Sequence, residues 1–312
     1  MKSPRTRKPK AAQRKVPGDK RTNGLTDSPR DGLLLLNKKT GITSFDSLRE
    51  VKKTYATGKV GHTGTLDKFA SGLLLVLIGR GVKLAPLFGD CVKEYTGTIH
   101  FGEETDTLDP EGSVIAEAPV PSLDALLAIL PRFRGEILQA PPAYSALHIN
   151  GRRAHELVRE GTEPEMKKRP ITVHELEILS FSPPEAVIKA RVSAGTYIRS
   201  LARDIALAAG SRAFLSALTR TAVGGFALKD APSFLPLDRK LFERLSLPCY
   251  TIDDSLAKDF CHGKPLDAIT KSFKLSGKTY AGVLKNSDPD EILGILEFKN
   301  NKWRYSHVFA RP

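Results

Sequence analysis

The residues best placed to do chemistry lie in one stretch, Gly61-His62-Thr63-Gly64-Thr65-Leu66-Asp67-Lys68-Phe69-Ala70-Ser71-Gly72. Three glycines and two threonines surround a single carboxylate, Asp67. Glycines let a backbone approach a ligand closely, because they carry no Cβ. A carboxylate on a supported loop can serve as nucleophile or general base, provided that it is ionised. The competing reading is that Asp67 caps a turn or helix, a common role for Asp. A second constellation is Gly195-Thr196-Tyr197-Ile198-Arg199. There Tyr197 and Arg199 fall at a strand-to-helix junction from which side chains can enter a cleft. A third is acidic, Glu103 to Asp109. Asp106 and Asp109 could offer oxygen ligands to a divalent ion, although turn carboxylates more often bond their own backbone.

These groups need elements to hold them. Leu73 to Ile78 is an unbroken apolar run between Gly72 and Gly79, which predicts a buried strand beside the Asp67 loop. Leu33 to Asn37 predicts another. Ser44 is placed to cap a helix with Phe45, Leu48, Val51 and Tyr55 at helical spacing, closed by Gly58. Tyr95, Gly97, Ile99 and Phe101 alternate with polar residues, the period of a half-buried strand. Residues 122–131 predict a helix capped by Ser122. Gln139 to Ala146 is extended and proline-stiffened, with Tyr144 free to stack or pack. Arg152 to Glu160 is helix-like, and strands follow near 169–180 and 185–193. Ile198, Leu201, Ala202 and Ile205 share a helical face stopped by Gly210. Phe214 to Arg220 predicts a second helix. The region beyond 250 carries short strand-like runs (281–284, 291–296, 307–309) and predicts a small β-rich appendage.

Composition bounds the partners. The 312 residues suit about two domains. Formal charge is +13, of which the first 30 residues carry +8, leaving +5 for residues 31–312. Residues 1–30 read as a disordered basic tail with a salt-sensitive attraction for polyanions. Cys91, Cys249 and Cys261 lack CxxC spacing, which argues against zinc and disulfides and suits a reducing cytoplasm. No run approaches the ~18 apolar residues of a membrane span. GxxxxGK[ST], GxGxxG, HExxH and GxSxG are all missing from the sequence, so no nucleotide-cofactor or zinc-hydrolase signature is present. Gly64-Thr65-Leu66-Asp67 differs from a haloacid-dehalogenase nucleophile loop, which needs its aspartate ahead of Gly-Thr.

Four segments, in order, resemble the TruB-type tRNA pseudouridine synthases over about residues 32–226. They are Gly61 to Asp67 with Ala70-Ser71-Gly72; Lys93-Glu94-Tyr95 with Thr105 to Asp109; Pro141 to Ala146 with Gly151-Arg152; and Gly195 to Arg199. The resemblance implies an α/β (α+β) fold with a mixed, largely antiparallel sheet flanked by helices. It implies a catalytic domain over 31–250 and a small PUA-like RNA-binding domain over 251–312. Asp67 matches the family's catalytic aspartate and Tyr95 its active-site tyrosine. Arg199 matches the arginine that pairs with the aspartate, and Tyr197 lines the same pocket. His62 matches a histidine that stacks in the remodelled RNA loop, Lys83 a basic pocket residue and Leu218 an apolar wall. The family's aspartate is usually followed by Pro, where Lys68 stands here. Its Gly-Thr-Tyr-Ile-Arg is usually preceded by Cys-Ser-Lys, where Val192-Ser193-Ala194 stand. The implied activity isomerises the T-loop uridine at tRNA position 55 with no cofactor or metal. It implies the tRNA T stem–loop as partner and a monomeric cytoplasmic enzyme. The alternatives are a non-catalytic RNA-binding protein and a sister synthase guided to other RNA.

Overall fold

The computed structural model describes residues 31–309 apart from 146, 150, 163, 272 and 274–278; the basic tail lies outside this range. Eight strands form the main path of one sheet: β1 (Gly32–Lys38), β2 (Ser71–Ile78), β3 (Lys93–Phe101), β4 (Gly135–Gln139), β5 (Arg169–Ser182), β6 (Glu185–Val192), β7 (Ala213–Val223) and β8 (Ser233–Pro236). Their spatial order is β8-β1-β2-β7-β3-β6-β5-β4. Every neighbouring pair along this path is antiparallel except β7 with β2. The sheet is therefore mixed and largely antiparallel.

The apolar run of β2 is continuous because both of its faces are covered. Leu73, Leu75 and Leu77 join a core with Phe88, Phe226 and Phe242, while Leu74, Val76 and Ile78 pack with Leu48 and Val51 of helix α1 (Ser44–Thr54). Fully burying each such leucine is worth about 1.5–3 kcal/mol. Strand β3 alternates as its sequence predicts, with Tyr95, Ile99 and Phe101 inward. Helix α2 (Leu123–Ile129) is capped by Ser122. Helix α3 (Ile198–Ala208) lays Ile198, Leu201, Ala202 and Ile205 into the core shared with Tyr95 and Leu218.

Three local expectations are corrected and one short strand is added. The cap of α1 is Thr43, in a reciprocal capping box with Asp46, which frees Ser44 for another task. That helix closes at Tyr55 rather than Gly58. Glu103–Thr105 in the acidic stretch forms a short strand with Val114–Glu117. Residues 214–220 are not a helix but part of β7, the central strand paired with both β2 and β3. Two register shifts, between Leu215 and Ala217 and between Arg220 and Ala222, break its alternation. Its buried residues Ala213, Leu215, Leu218, Arg220 and Val223 fall at spacings of two and three, which a sequence reader takes for a helical face.

Strands β9 (Cys249–Ile252), β10 (Tyr280–Lys285), β11 (Asp288–Lys299) and β12 (Lys302–Val308) form a second sheet. It also carries a helix that the sequence did not announce, Asp254–Cys261. Leu284, Ile292, Ile295 and Phe309 enter the same core as Leu33 and Leu73, so this region is packed onto the main sheet rather than hung from it. Among the described residues no helix is long and apolar enough to cross a membrane.

Candidate active site

The Asp67 loop joins the short strand Val60–His62 to β2, and it is fastened from three sides. Ser44, released from capping, accepts from the Leu66 N–H at 2.9 Å and donates to the Leu66 carbonyl at 3.0 Å. Lys38, buried at the end of β1, donates to the Ile42 carbonyl at 2.7 Å and reaches the Lys68 carbonyl at 3.5 Å. The Gly41 N–H donates to the same Lys68 carbonyl. Burial holds the Lys38 ammonium below lysine's ordinary value, with the Asp67 charge opposing. Arg220, 2% exposed, sends its three nitrogens to the carbonyls of Leu73 (2.8 Å), Thr65 (3.3 Å) and Gly64 (3.1 Å).

Gly72 makes this last arrangement possible. Its φ is +104°, and a Cβ there would lie 2.4 Å from the Arg220 carbonyl oxygen. Only glycine lets β2 and β7 meet so closely. Arg220 is also the ladder partner of Tyr95.

Asp67 is received by Arg199 from the first turn of α3. Arg199 Nε lies 3.0 Å from Asp67 Oδ2, and Nη2 donates to Oδ1 at 3.2 Å. The Arg199 side chain is 5% exposed and that of Asp67 36%, so the carboxylate faces open space while the guanidinium lies behind it. Nη1 lies 3.2 Å from Asp109 Oδ2 and donates to the Thr107 carbonyl at 2.7 Å; Nη2 also reaches the Tyr144 carbonyl. Burial raises the Asp109 carboxyl, against a Thr107 hydroxyl bond and the Arg199 charge. Asp109 also accepts from the Glu111 N–H, and Asp106 from the Ser113 N–H. These carboxylates serve the backbone and the arginine.

Asp67, Tyr95, Tyr197, Arg199 and Leu218 line one cavity of about 280 Å³. Tyr95 is 7% exposed and its phenol is raised by burial, with Arg220 opposing. Tyr197 is held through its backbone: Gln139 accepts from its N–H at 2.9 Å and donates to its carbonyl at 3.1 Å. Its ring lies 5.2 Å from the Arg169 guanidinium, which also donates to the Gly195 carbonyl.

Two expected residues stand elsewhere. Lys83 sits on a 3-10 segment (Gly79–Phe88) and donates to the Val308 carbonyl at 3.1 Å beside Phe309, outside this cavity. That placement corrects its reading as a basic pocket residue: a turn after β2 aims it at the C-terminal strand. His62, on the short strand Val60–His62 that leads into the loop, is half-buried and does not line this cavity. Its Nδ1 is buried with no hydrogen-bond partner, and burial together with Arg220 holds its pKa low. Tyr144 is likewise off the cavity lining, with its hydroxyl 3.3 Å from Asp106.

Sequence reasoning missed Arg220, Lys93, Arg169, Gln139 and the Arg199–Asp109 pair. The one available signal for Arg220 was a lone cation in an apolar run. One departure from the expected motif, Lys68, is accommodated. Lys68 points away to Glu111 at 3.0 Å, and the loop keeps its other fastenings.

Comparison with known proteins agrees with this geometry. Residues 52–198 match the model described as TruB family pseudouridylate synthase (N terminal domain). A tRNA pseudouridine synthase B from Borreliella afzelii is 45% identical over 89% of this chain and 99% of its own. The chain belongs to the TruB family. Another such relative, from Treponema denticola, is 42% identical over 78% of this chain and 75% of its own. Among solved structures, an archaeal box H/ACA sRNP complex contains a chain similar in fold, with TM-score 0.62 and 21% identity over 91% of this chain and 87% of that one. A TruB-family chain is thus a pseudouridine synthase by descent, with the mixed sheet and C-terminal β region described above.

Proposed function

We propose that this protein is the tRNA pseudouridine(55) synthase of its cell, isomerising the T-loop uridine of tRNA with Asp67 as the catalytic group. The observation that carries the reading is the exposed face of Asp67 in a closed-backed cavity, paired through both oxygens with buried Arg199. A paired guanidinium favours the ionised carboxylate and offsets its desolvation when a substrate covers it. The isomerisation breaks the N1–C1′ glycosidic bond and forms C5–C1′. The C5 proton leaves to solvent and N1 takes one up. Atoms and electrons balance within the nucleoside, so the chemistry calls for no redox cofactor, metal or phosphate donor.

The uridine must leave its stack to reach Asp67. Tyr95 and Tyr197 offer ring surfaces inside the cavity and Leu218 an apolar wall, while His62, outside the cavity lining, is proposed to meet the RNA loop around the target. Asp67, Tyr95, Tyr197, Arg199 and Leu218 are therefore assigned to the substrate, with Asp67 catalytic. The T stem–loop is the proposed partner, residues 251–312 the proposed PUA-like RNA-binding domain, and a cytoplasmic monomer the proposed working form. The test is mapping of pseudouridine in an unmodified tRNA transcript after incubation with the protein. Conversion confined to position 55, and lost when that uridine is replaced by cytidine, is expected. Conversion elsewhere only, or none, would refute the assignment.

A further inference from the structure

Lys93 has no part in the chemistry above, yet it lines the same cavity as Asp67. Its neighbours explain why it is available. Arg199 is shared between two carboxylates, and the donors of Arg220 go to three carbonyls. Lys93 sends one of its three donors to the Cys91 carbonyl, at 2.9 Å. The charged group acting on it most strongly is Arg220, of like sign. Burial and that guanidinium pull its ammonium below lysine's ordinary value, the condition an incoming anion relieves.

Position identifies the anion. Lys93 and Tyr95 lie two apart on β3, on the same face and about 6.7 Å apart along the strand. Tyr95 is buried at the floor, and Lys93 stands toward the strand's start. The Lys93 side chain runs beside the catalytic loop: Cε lies 3.9 Å from where a Cβ on Gly64 would stand. A pyrimidine resting on Tyr95, with its sugar at Asp67, would bring a phosphate of that same nucleotide to the ammonium.

We infer that Lys93 is a substrate-contact residue that binds the phosphodiester flanking the flipped uridine. The inference rests on the proposed synthase reading and adds to it the group that seats the nucleotide's backbone. One anion neutralised by one lysine reduces the salt dependence of binding by about one ion.

The test pairs protein and RNA changes. Wild type, Lys93→Met and Lys93→Arg are each given T-arm RNA carrying a neutral methylphosphonate at the linkage 5′ or 3′ to the target uridine, or none. Thermal unfolding checks that each variant folds, and the wild-type arm stays informative if one does not. Lys93→Met is expected to weaken binding of unmodified RNA about tenfold near 0.1 M salt and to flatten the log Kd against log salt slope by about one. One of the two methylphosphonates should weaken wild type by a similar factor but Lys93→Met less than twofold, with Lys93→Arg close to wild type. Full, additive losses in Lys93→Met at both linkages would overturn the inference, as would wild type indifferent to both. Absence of turnover by wild type on unmodified RNA would instead overturn the synthase reading itself.

Discussion

The Ser44 hydroxyl accepts from the backbone N–H of Leu66 and donates to its carbonyl, one residue ahead of Asp67. Helix α1 thereby sets the position of a carboxylate 23 residues downstream. Ser44→Ala would strand a buried N–H and carbonyl, each costing about 1–3 kcal/mol when unpaired. The expected outcome is a lower Tm and a turnover number reduced about tenfold, with tRNA affinity nearly unchanged. Thermal unfolding and single-turnover kinetics measure both. Turnover equal to wild type would show that the clamp does not position the loop.

Gly72→Ala tests the close crossing of β2 and β7. The added Cβ would meet the Arg220 backbone at 2.4 Å, at a φ that L residues rarely adopt. A loss of more than about 2 kcal/mol is expected, lowering Tm by at least ~3 °C for a chain of this size. An unchanged Tm would contradict the crossing.

Arg220→Leu removes the guanidinium from three loop and strand carbonyls at once. Stability should fall by several kcal/mol, as for a broken buried network. Arg220→Lys should retain part of the stability while losing most of the turnover, because one ammonium cannot reach carbonyls on Gly64, Thr65 and Leu73 together. A lysine variant with full activity would assign Arg220 a charge role rather than a geometric one.

His62 gives a pH prediction. Burial and Arg220 hold its folded pKa below 6.5. The unfolded chain therefore binds more protons than the native state between the folded value and 6.5. Stability from this group rises with pH through that window and is fully present above 6.5. A proton NMR titration should place the His62 midpoint below 6.5, and His62→Gln should flatten the dependence of Tm on pH in that range. A midpoint at or above 6.5 would contradict its burial beside Arg220.

The site was legible in sequence where chemistry and glycine punctuation are contiguous. The loop from Gly64 to Gly72 alone left Asp67 readable as a cap, and only its combination with Arg199, at the head of an amphipathic helix, singled it out as a candidate. What was not legible depends on long-range approach. Arg220 was hidden because two bulges give β7 a spacing of two and three, so that a central strand imitates a helix. Lys83 was misplaced because a 3-10 turn and the packing of residues near 308 decide where it points. Nor does local pattern show that Phe309 completes the core around Leu33 and Leu73. Gln139 was read only as part of a stiff segment, although its two bonds fix the backbone of Tyr197.

The central claim is that one carboxylate, backed by Arg199, performs the isomerisation. Its most direct test is single-turnover tritium release from tRNA labelled at C5 of uridine, comparing wild type with Asp67→Asn at saturating enzyme. The account predicts that the variant binds tRNA with nearly wild-type affinity and releases tritium at least about 10⁴-fold more slowly, as loss of a covalent or general-base group does. Release at the wild-type rate by Asp67→Asn would contradict it.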